Sequence, residues 1–188
     1  MERAQRWRED ATIEWGVESA ATGHLTDERM NAMNRNYLAL VLYLLLVVGG
    51  GWLIGATNLP GSWYAALAKP SFNPPNWLFP PVWTVLYILI AVAGWRTYEA
   101  RPRSAAMGLW VAQLILNFGW SPVMFTMHAI GPALAVIGFL LLAILGFIAR
   151  QWRHDRLAAW LFVPYAAWVA FAALLNYSLY LLNGAYPA

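Results

Sequence analysis

The sequence predicts an all-α integral membrane protein: a bundle of five transmembrane helices, with a long loop rich in proline and aromatic residues between the first and second. Hydrophobic residues make up 61% of the 188 residues, charged residues only 11%, and the mean hydropathy is +0.50. A soluble domain carries about 25% charged residues. The charges lie in short clusters between uncharged stretches, which are long enough to cross a hydrocarbon core of about 30 Å.

Residues 1–36 are predicted to be a polar tail in front of a membrane domain over residues 37–188. The tail holds seven of the nine acidic residues and five arginines, and the apolar sequence begins too late for a signal peptide. Its scattered apolar residues could form a helix on the membrane surface. A disordered tail or an added leader agrees equally well with the sequence, and we assign the tail no function.

The first two spans are predicted over residues 37–57 and 81–95, separated by the loop. The first is uncharged, and turn residues follow it at 58–61. The prolines of the loop fix their own φ and disfavour the α conformation in the residue before them, so the loop should be extended or turned. Pro81 suits the first turn of the second helix.

The remaining three spans are predicted over residues 105–127, 132–149 and 157–182. Residues 104–149 contain no charge, which is too long for one span, and a Gly-Pro pair at 131–132 divides the stretch. The basic clusters at 96–103 and 150–156 then form the two links on one side of the bundle.

The distribution of arginine predicts the orientation. With five spans, the N-terminal tail and both basic links share one side and carry eleven arginines, while Lys69 is the only basic residue on the other. Such a bias predicts a cytoplasmic N-terminus and a periplasmic or external loop.

Several function classes are disfavoured. No Asp, Glu, Lys or Arg lies within a predicted span, which argues against a proton-coupled transporter or pump. The chain has no Cys and its three His are scattered, so no metal site is predicted. The small net charge of +3 is divided among the links, so no nucleic-acid partner is predicted.

Three predicted helices carry stripes of aromatic and amide side chains at helical spacing. These stripes could simply hold the helices together. They also match the lining of a small-molecule pocket, where indole and phenol rings provide flat faces and single hydrogen-bond donors for a large planar ligand. The stripes are Trp83 and Tyr87; Gln113, Asn117 and Trp120; and Trp168, Ala172 and Asn176.

The loop is predicted to cover the mouth of this pocket as a lid. Lys69 is its only cation and could contact a ligand carboxylate, although an interfacial lysine that extends to the headgroups fits the pattern equally well. The lid residues are Trp63, Pro70, Phe72, Pro74, Pro75 and Trp77.

Three motifs carry a resemblance to a known family. They are Trp63-Tyr64-x-x-Leu67-x-Lys69-Pro70-x-Phe72-x-Pro74-Pro75-x-Trp77-x-Phe79 leading into Trp83-x-x-Leu86-Tyr87, then Asn117-x-x-Trp120-Ser121-Pro122-x-x-Phe125, then Pro164-Tyr165-x-x-Trp168-x-x-Phe171-Ala172-x-x-Leu175-Asn176. With these motifs in this order over residues 37–182, the chain resembles the tryptophan-rich sensory proteins of bacteria, whose eukaryotic relatives are the mitochondrial translocator proteins.

The resemblance implies a five-helix bundle, commonly dimeric, that binds porphyrins such as protoporphyrin IX, sterols and benzodiazepine-site ligands below the first loop, with no required cofactor. Two features depart from the family: the polar tail is long, and no Lys or Arg follows Tyr177 to complete the weak cholesterol motif. The pocket positions it implies are Tyr64, Trp83, Tyr87, Asn117, Trp120, Trp168, Ala172 and Asn176.

Three functions remain open at this point: a porphyrin receptor or sensor, a light-dependent porphyrin-degrading activity, and a facilitative carrier of porphyrins or lipids. The sequence shows no acid–base pair or activated nucleophile, so any degradation would depend on ligand photochemistry and tryptophan redox chemistry. Gly108-x-x-x-Ala112 has the spacing of a close helix pair and predicts a homodimer interface on the third helix.

Overall fold

The structure is a computed structural model that describes Met30 and residues 33–184. The chain divides into two compact units, Met1–Ala39 and Leu40–Ala188. The described end of the first unit, residues 33–39, is helical. The predicted polar tail lies almost entirely outside the described residues, and every feature below belongs to the second unit unless stated.

Five long helices form the described part of the chain, which contains no strand. All five are long and apolar enough to cross a membrane, so the predicted fold class of an integral membrane five-helix protein is confirmed. They are α1 (Met33–Thr57), α2 (Phe79–Ala100), α3 (Ala105–Ser121, continued by a π-helical turn over Pro122–Thr126), α4 (Ile130–Gln151) and α5 (Arg156–Asn183).

The helices extend beyond the predicted spans at most ends. Residues 96–100 continue α2 past the predicted end of the span at residue 95, and α4 begins two residues before Pro132. Proline is tolerated in a first helical turn, where its missing N–H has no intrahelical acceptor. Two ends are capped by side chains: Ser104 accepts from the Met107 N–H, and Asp155 accepts from the Ala158 N–H.

The bundle core is formed mainly by α4, which packs against α3 and α5, and by α2 against α5. Phe147 and Phe162 join α4 and α5, with ring centroids 4.1 Å apart. Two glycines allow rings to approach a neighbouring backbone: a Cβ on Gly51 would overlap the Tyr87 ring, and one on Gly94 would overlap the Trp110 indole. The Trp110 indole N–H donates to the Ile90 carbonyl at 2.9 Å.

The segment between α1 and α2 contains regular secondary structure and packs on the helices. A short helix, Ser62–Ala66, follows the turn after α1, and a 3₁₀ turn, Asn76–Leu78, leads into α2. Leu67 is buried in a small apolar cluster with Met124, Ile130 and Leu179. This cluster holds the short helix against the ends of α3 and α5 and the start of α4.

Candidate functional site

A chain of hydrogen bonds runs between α2, α3 and α5 in the buried interior. The Tyr87 hydroxyl donates to Asn117 Oδ1 at 3.2 Å, Asn117 Nδ2 donates to the Tyr165 hydroxyl at 2.8 Å, and that hydroxyl donates to Gln113 Oε1 at 2.9 Å. Each tyrosine hydroxyl uses its single donor, and Asn117 accepts at Oδ1 and donates at Nδ2, so the hydrogen bonds run in one direction from Tyr87 to Gln113. It fixes the register of three helices around one buried polar centre.

This polar chain ends on an unpartnered group. Gln113 is fully buried, and its Nε2 donor has no hydrogen-bond partner among the described residues. A buried donor without a partner costs about 1–3 kcal/mol. The chain of hydrogen bonds therefore ends on an unsatisfied donor inside the bundle.

A second polar connection joins α3, α4 and α5 closer to the loop. The Trp120 indole N–H donates to Asn176 Oδ1 at 3.1 Å, and Asn176 Nδ2 donates to the Ile130 carbonyl at 3.1 Å. Asn176 is only 1% exposed, so both halves of its amide are satisfied inside the bundle. This asparagine therefore fixes the start of α4 against α3 and α5.

The aromatic residues of α2 and α5 form a continuous cluster beside these amides. The Trp83 ring lies 5.3 Å from the Tyr87 ring and 6.3 Å from the Tyr165 ring, and Trp168 lies 5.7 Å from Phe79. The buried Trp168 indole N–H has no partner among the described residues. Ala172, one turn further along α5, is half-buried against the same core.

An open cleft of about 550 Å³ lies on the loop side of the bundle. Its volume is in the range of small-molecule sites, about 300–1,000 Å³. Asn73 contributes a buried Oδ1 atom that has no partner among the described residues. The lining residues come from the loop and its short helix: Pro60, Gly61, Tyr64, Ala65, Lys69, Asn73, Pro74, Pro75 and Asn76.

Lys69 lies in this cleft, and no carboxylate of the described residues pairs with it. Its ammonium donates to the carbonyls of Ala65 at 3.0 Å and Leu67 at 3.2 Å, and it lies 4.9 Å from the centroid of the Tyr64 ring. The backbone and the ring face orient the cation but do not neutralise it. Burial raises the pKa of the Tyr64 hydroxyl, so this phenol is neutral at physiological pH.

Contacts of Trp63, Tyr64 and Ala68 help to hold the loop against the helices. Trp63 stacks on His128 with ring centroids 4.3 Å apart, and Tyr64 meets Phe125 edge-on at 5.4 Å. Asn183, at the end of α5, accepts from the Ala68 N–H at 3.0 Å and donates to the Ala68 carbonyl at 2.9 Å. His128 has a positive φ of 56°, which turns the chain between α3 and α4 and presents its ring to Trp63.

The predicted site residues fall into two groups. The helical members, Trp83, Tyr87, Asn117, Trp120, Trp168, Ala172 and Asn176, come together and are packed on one another, whereas Tyr64 and Lys69 line the open cleft. The two groups meet through rings, because Tyr64 contacts Phe125, which lies 5.5 Å from Trp120.

The predicted lid residues also divide. Pro74 and Pro75 line the cleft, Trp63 stacks on His128, Pro70 is half-buried, and Phe72 lies 6.4 Å from Phe171 of α5. Trp77 is 71% exposed and has no ring contact with another described aromatic residue.

Several residues of the site are missing from the predicted pocket positions, among them Asn73, Tyr165 and Asn183, and Gln113 was predicted only as part of a stripe. Gln113 and Tyr165 stand in the amide stripe and in the third motif, so their spacing offered a signal. Asn73 and Asn183 depend on loop conformation and on a contact between residues 115 positions apart, which no periodicity reveals.

Comparison with known proteins identifies the family. The model of the TspO/MBR family matches residues 40–181, which is most of the chain and nearly all of the five-helix bundle. The chain belongs to the TspO/MBR family. The match includes the loop cleft, the buried amides and the aromatic cluster.

Relatives in bacteria and animals support this membership. The chain is 38% identical over 160 residues to the tryptophan-rich protein TspO of Chlorobaculum tepidum, covering 80% of this chain and 99% of the relative. It is 38% identical over 154 residues to the tryptophan-rich sensory protein of Cereibacter sphaeroides, covering 80% and 95%. It is 34% identical over 144 residues to the translocator protein of Ovis aries, covering 72% and 85%. This TspO/MBR protein therefore spans nearly the full length of both bacterial relatives.

Proposed function

We propose that this chain is a membrane receptor or sensor that binds a porphyrin, or a related flat apolar ligand with acidic groups, in the loop cleft and against the aromatic cluster of α2 and α5. The observation that carries the proposal is the cleft itself, of about 550 Å³, in which the Lys69 ammonium has no carboxylate partner among the described residues. A carboxylate on the ligand would supply that partner through a charge-assisted hydrogen bond.

One unpartnered polar atom of the aromatic cluster fits a ligand of this kind. A porphyrin offers ring faces for stacking and carboxylates at one edge. The Trp168 indole N–H needs an acceptor, which a carboxylate can supply. The rings of Tyr64 and Trp168 offer apolar faces for stacking. No metal or second cofactor is needed for such binding.

Family membership supports the proposed role. One bacterial relative is named a tryptophan-rich sensory protein, and the animal relatives are named translocator proteins. These names suggest two roles, a sensor and a carrier, and experiments must distinguish between them. The absence of Asp, Glu, Lys and Arg from the middle of the five helices favours a role that is not coupled to ion movement.

The test is a titration of the full-length protein in lipid nanodiscs with protoporphyrin IX in the dark, followed by porphyrin fluorescence anisotropy and tryptophan quenching. We expect saturable binding that is weakened at least tenfold in Trp83→Phe plus Trp168→Phe. The matched control is Trp152→Phe plus Trp160→Phe, which removes two exposed indoles at the opposite end of the bundle and should leave binding within twofold. Absence of saturable binding to the wild type would refute the proposal.

Two further experiments distinguish a receptor from a porphyrin-degrading protein and from a carrier. Illumination of the complex in air, with analysis of the pigment, should leave the porphyrin as stable as in protein-free nanodiscs if the chain is a receptor. Faster loss that requires Trp83 and Trp168 would instead assign a photochemical degradation. Porphyrin flux into proteoliposomes above that of empty vesicles would assign a carrier.

We further propose a bacterial inner-membrane location, with the N-terminus cytoplasmic and the loop periplasmic, and a homodimer. Both basic links lie at the same end of the bundle, as the charge bias requires. Reporter fusions at the loop and at the 150–156 link test the orientation. A loop fusion active only in the cytoplasm would reverse it.

A further inference from the structure

A second, smaller cavity lies at the opposite end of the bundle from the loop. Its volume is about 90 Å³, enough for a few water molecules or one phosphate group, and too small for a ring system. We call it the arginine-end cavity. It is lined by the end of α2, the start of α3 and the link between α4 and α5: Thr97, Ala100, Arg101, Ser104, Ala105, Ala106, Arg150, Gln151, His154 and Asp155.

The side chains around this cavity are strongly cationic. Residues 96–103 and 150–156 contain six arginines, no lysine and two carboxylates. Arg101 and Arg150 both line the cavity, and neither makes an ion pair within the described residues. Arginine presents a planar fork of donors that matches the oxygens of a phosphate group, which a lysine does not.

The carboxylate in the lining does not oppose an anion, because it is already neutralised. Asp155 accepts from Arg96 Nε at 2.9 Å and from Arg96 Nη2 at 3.2 Å, and it also caps α5 through the Ala158 N–H at 3.2 Å. Arg96 and Asp155 thus cancel as a pair. The remaining charges of the lining, Arg101 and Arg150, are positive, with His154 beside them.

The backbone adds donors on the same wall. The first N–H groups of a helix have no intrahelical acceptor. The Ser104 hydroxyl accepts from the N–H of Met107. The N–H groups of Ala105 and Ala106 have no acceptor within their own helix, and both residues line the cavity. Thr97 and Gln151 also line the cavity, and the Gln151 amide donates to the Thr97 hydroxyl. This part of the lining is therefore polar, with a hydrogen bond already formed between its two side chains.

Two exposed tryptophans lie near the cavity, at the end of the bundle that carries the basic links. Trp152 and Trp160 flank the α4–α5 link, are both exposed, and have ring centroids 5.5 Å apart. Exposed tryptophans at the end of a span mark the membrane interface. A basic cavity between helix ends at that level is suited to the phosphate of an anionic lipid.

We propose that the arginine-end cavity binds a phosphate group, held by Arg101 and Arg150 and by the first N–H groups of α3. This site is independent of the porphyrin site at the loop. The phosphate could belong to a phospholipid headgroup or be free in solution, and the two sources are distinguished by experiment.

The test uses the full-length protein in detergent and native mass spectrometry with phosphatidylglycerol, together with thermal unfolding in inorganic phosphate at constant ionic strength. The test variant is Arg101→Gln plus Arg150→Gln. The matched control is Arg103→Gln plus Arg153→Gln, which removes the same charge from exposed arginines of the same links that do not line the cavity. Size exclusion and circular dichroism first establish that both variants fold.

We expect one saturable phosphatidylglycerol per chain, with affinity reduced at least tenfold in the test variant and less than twofold in the control. Stabilisation by inorganic phosphate that is lost only in the test variant would support the site and assign it to a soluble anion. Equal losses in both variants would show general charge attraction and overturn the proposal. Absence of saturable binding of both probes to the wild type would also overturn it.

Discussion

The fastening of the loop by Asn183 gives a prediction that can be worked from the structure. Asn183→Ala removes the acceptor for the Ala68 N–H and the donor to the Ala68 carbonyl, which are the two polar contacts between the end of α5 and the loop. A net hydrogen bond contributes about 0.5–1.5 kcal/mol, and Ala68 is exposed, so water would satisfy its freed groups. The expected cost is about 2 kcal/mol of local stability.

Because about 1.4 kcal/mol is a factor of ten, this cost predicts a roughly 30-fold increase in the population of the opened loop. Hydrogen exchange followed by mass spectrometry on peptides covering residues 62–80 measures it directly. Peptides from α4 should be unaffected, because Asn183 does not contact that helix in any described hydrogen bond.

The control is Ser178→Ala on the same helix, whose hydroxyl bonds only to its own helix at Leu174. It should leave loop exchange unchanged. Asn183→Asp, which places a buried carboxylate oxygen against the Ala68 and Leu179 carbonyls, should increase loop exchange at least as much as Asn183→Ala. Loop exchange in Asn183→Ala equal to that of the wild type would refute the reasoning that these two bonds hold the loop closed.

Three further predictions concern charge, association and pH. Lys69→Met should weaken binding of protoporphyrin IX at least tenfold while Lys69→Arg retains most of it, and equal loss in both would contradict a role of the charge. Gly108 is exposed with open space around it, so Gly108→Leu should convert a solubilised dimer to a monomer by light scattering without lowering the melting temperature; an unchanged mass would exclude this interface. Burial acts to raise the pKa of Asp155, but the hydrogen bonds from Arg96 and Ala158 together with the Arg96 charge outweigh it and lower the pKa below the ordinary 3.8. The stabilisation from this pair is therefore present above about pH 4 and lost as pH falls through the folded pKa, so Asp155→Asn should flatten the acid limb of the melting profile, and an unchanged limb would argue against it.

The fold could be read from the sequence because each span is encoded locally. The prediction of five helices depends on uncharged stretches and on the positions of prolines and arginines, and these act within about 20 residues. The positions at which the helices end were less predictable. Residues 96–100 remain helical although Arg96 and Glu99 are charged, because charged side chains are good helix formers once the helix leaves the hydrocarbon.

The site was only partly predictable because spacing selects a face of a helix but not its partner. Asn117 and Trp120 belong to one predicted stripe, but the sequence does not reveal that Asn117 bonds Tyr165, 48 residues away, or that Trp120 bonds Asn176. The position of the open cleft was also not evident from the sequence. The helical stripes are packed on each other, and the cleft lies among loop residues whose conformation is set by prolines and by long-range contacts such as Ala68 with Asn183.

The location of the ligand is the central claim, and hydrogen exchange of the nanodisc-embedded wild type with and without saturating protoporphyrin IX in the dark tests it most directly. The proposed site predicts slower exchange in residues 60–76 and in the loop-side half of α5, with no change in the links at 96–103 and 150–156. Protection confined to other segments, or none at saturation, would contradict binding in the loop cleft.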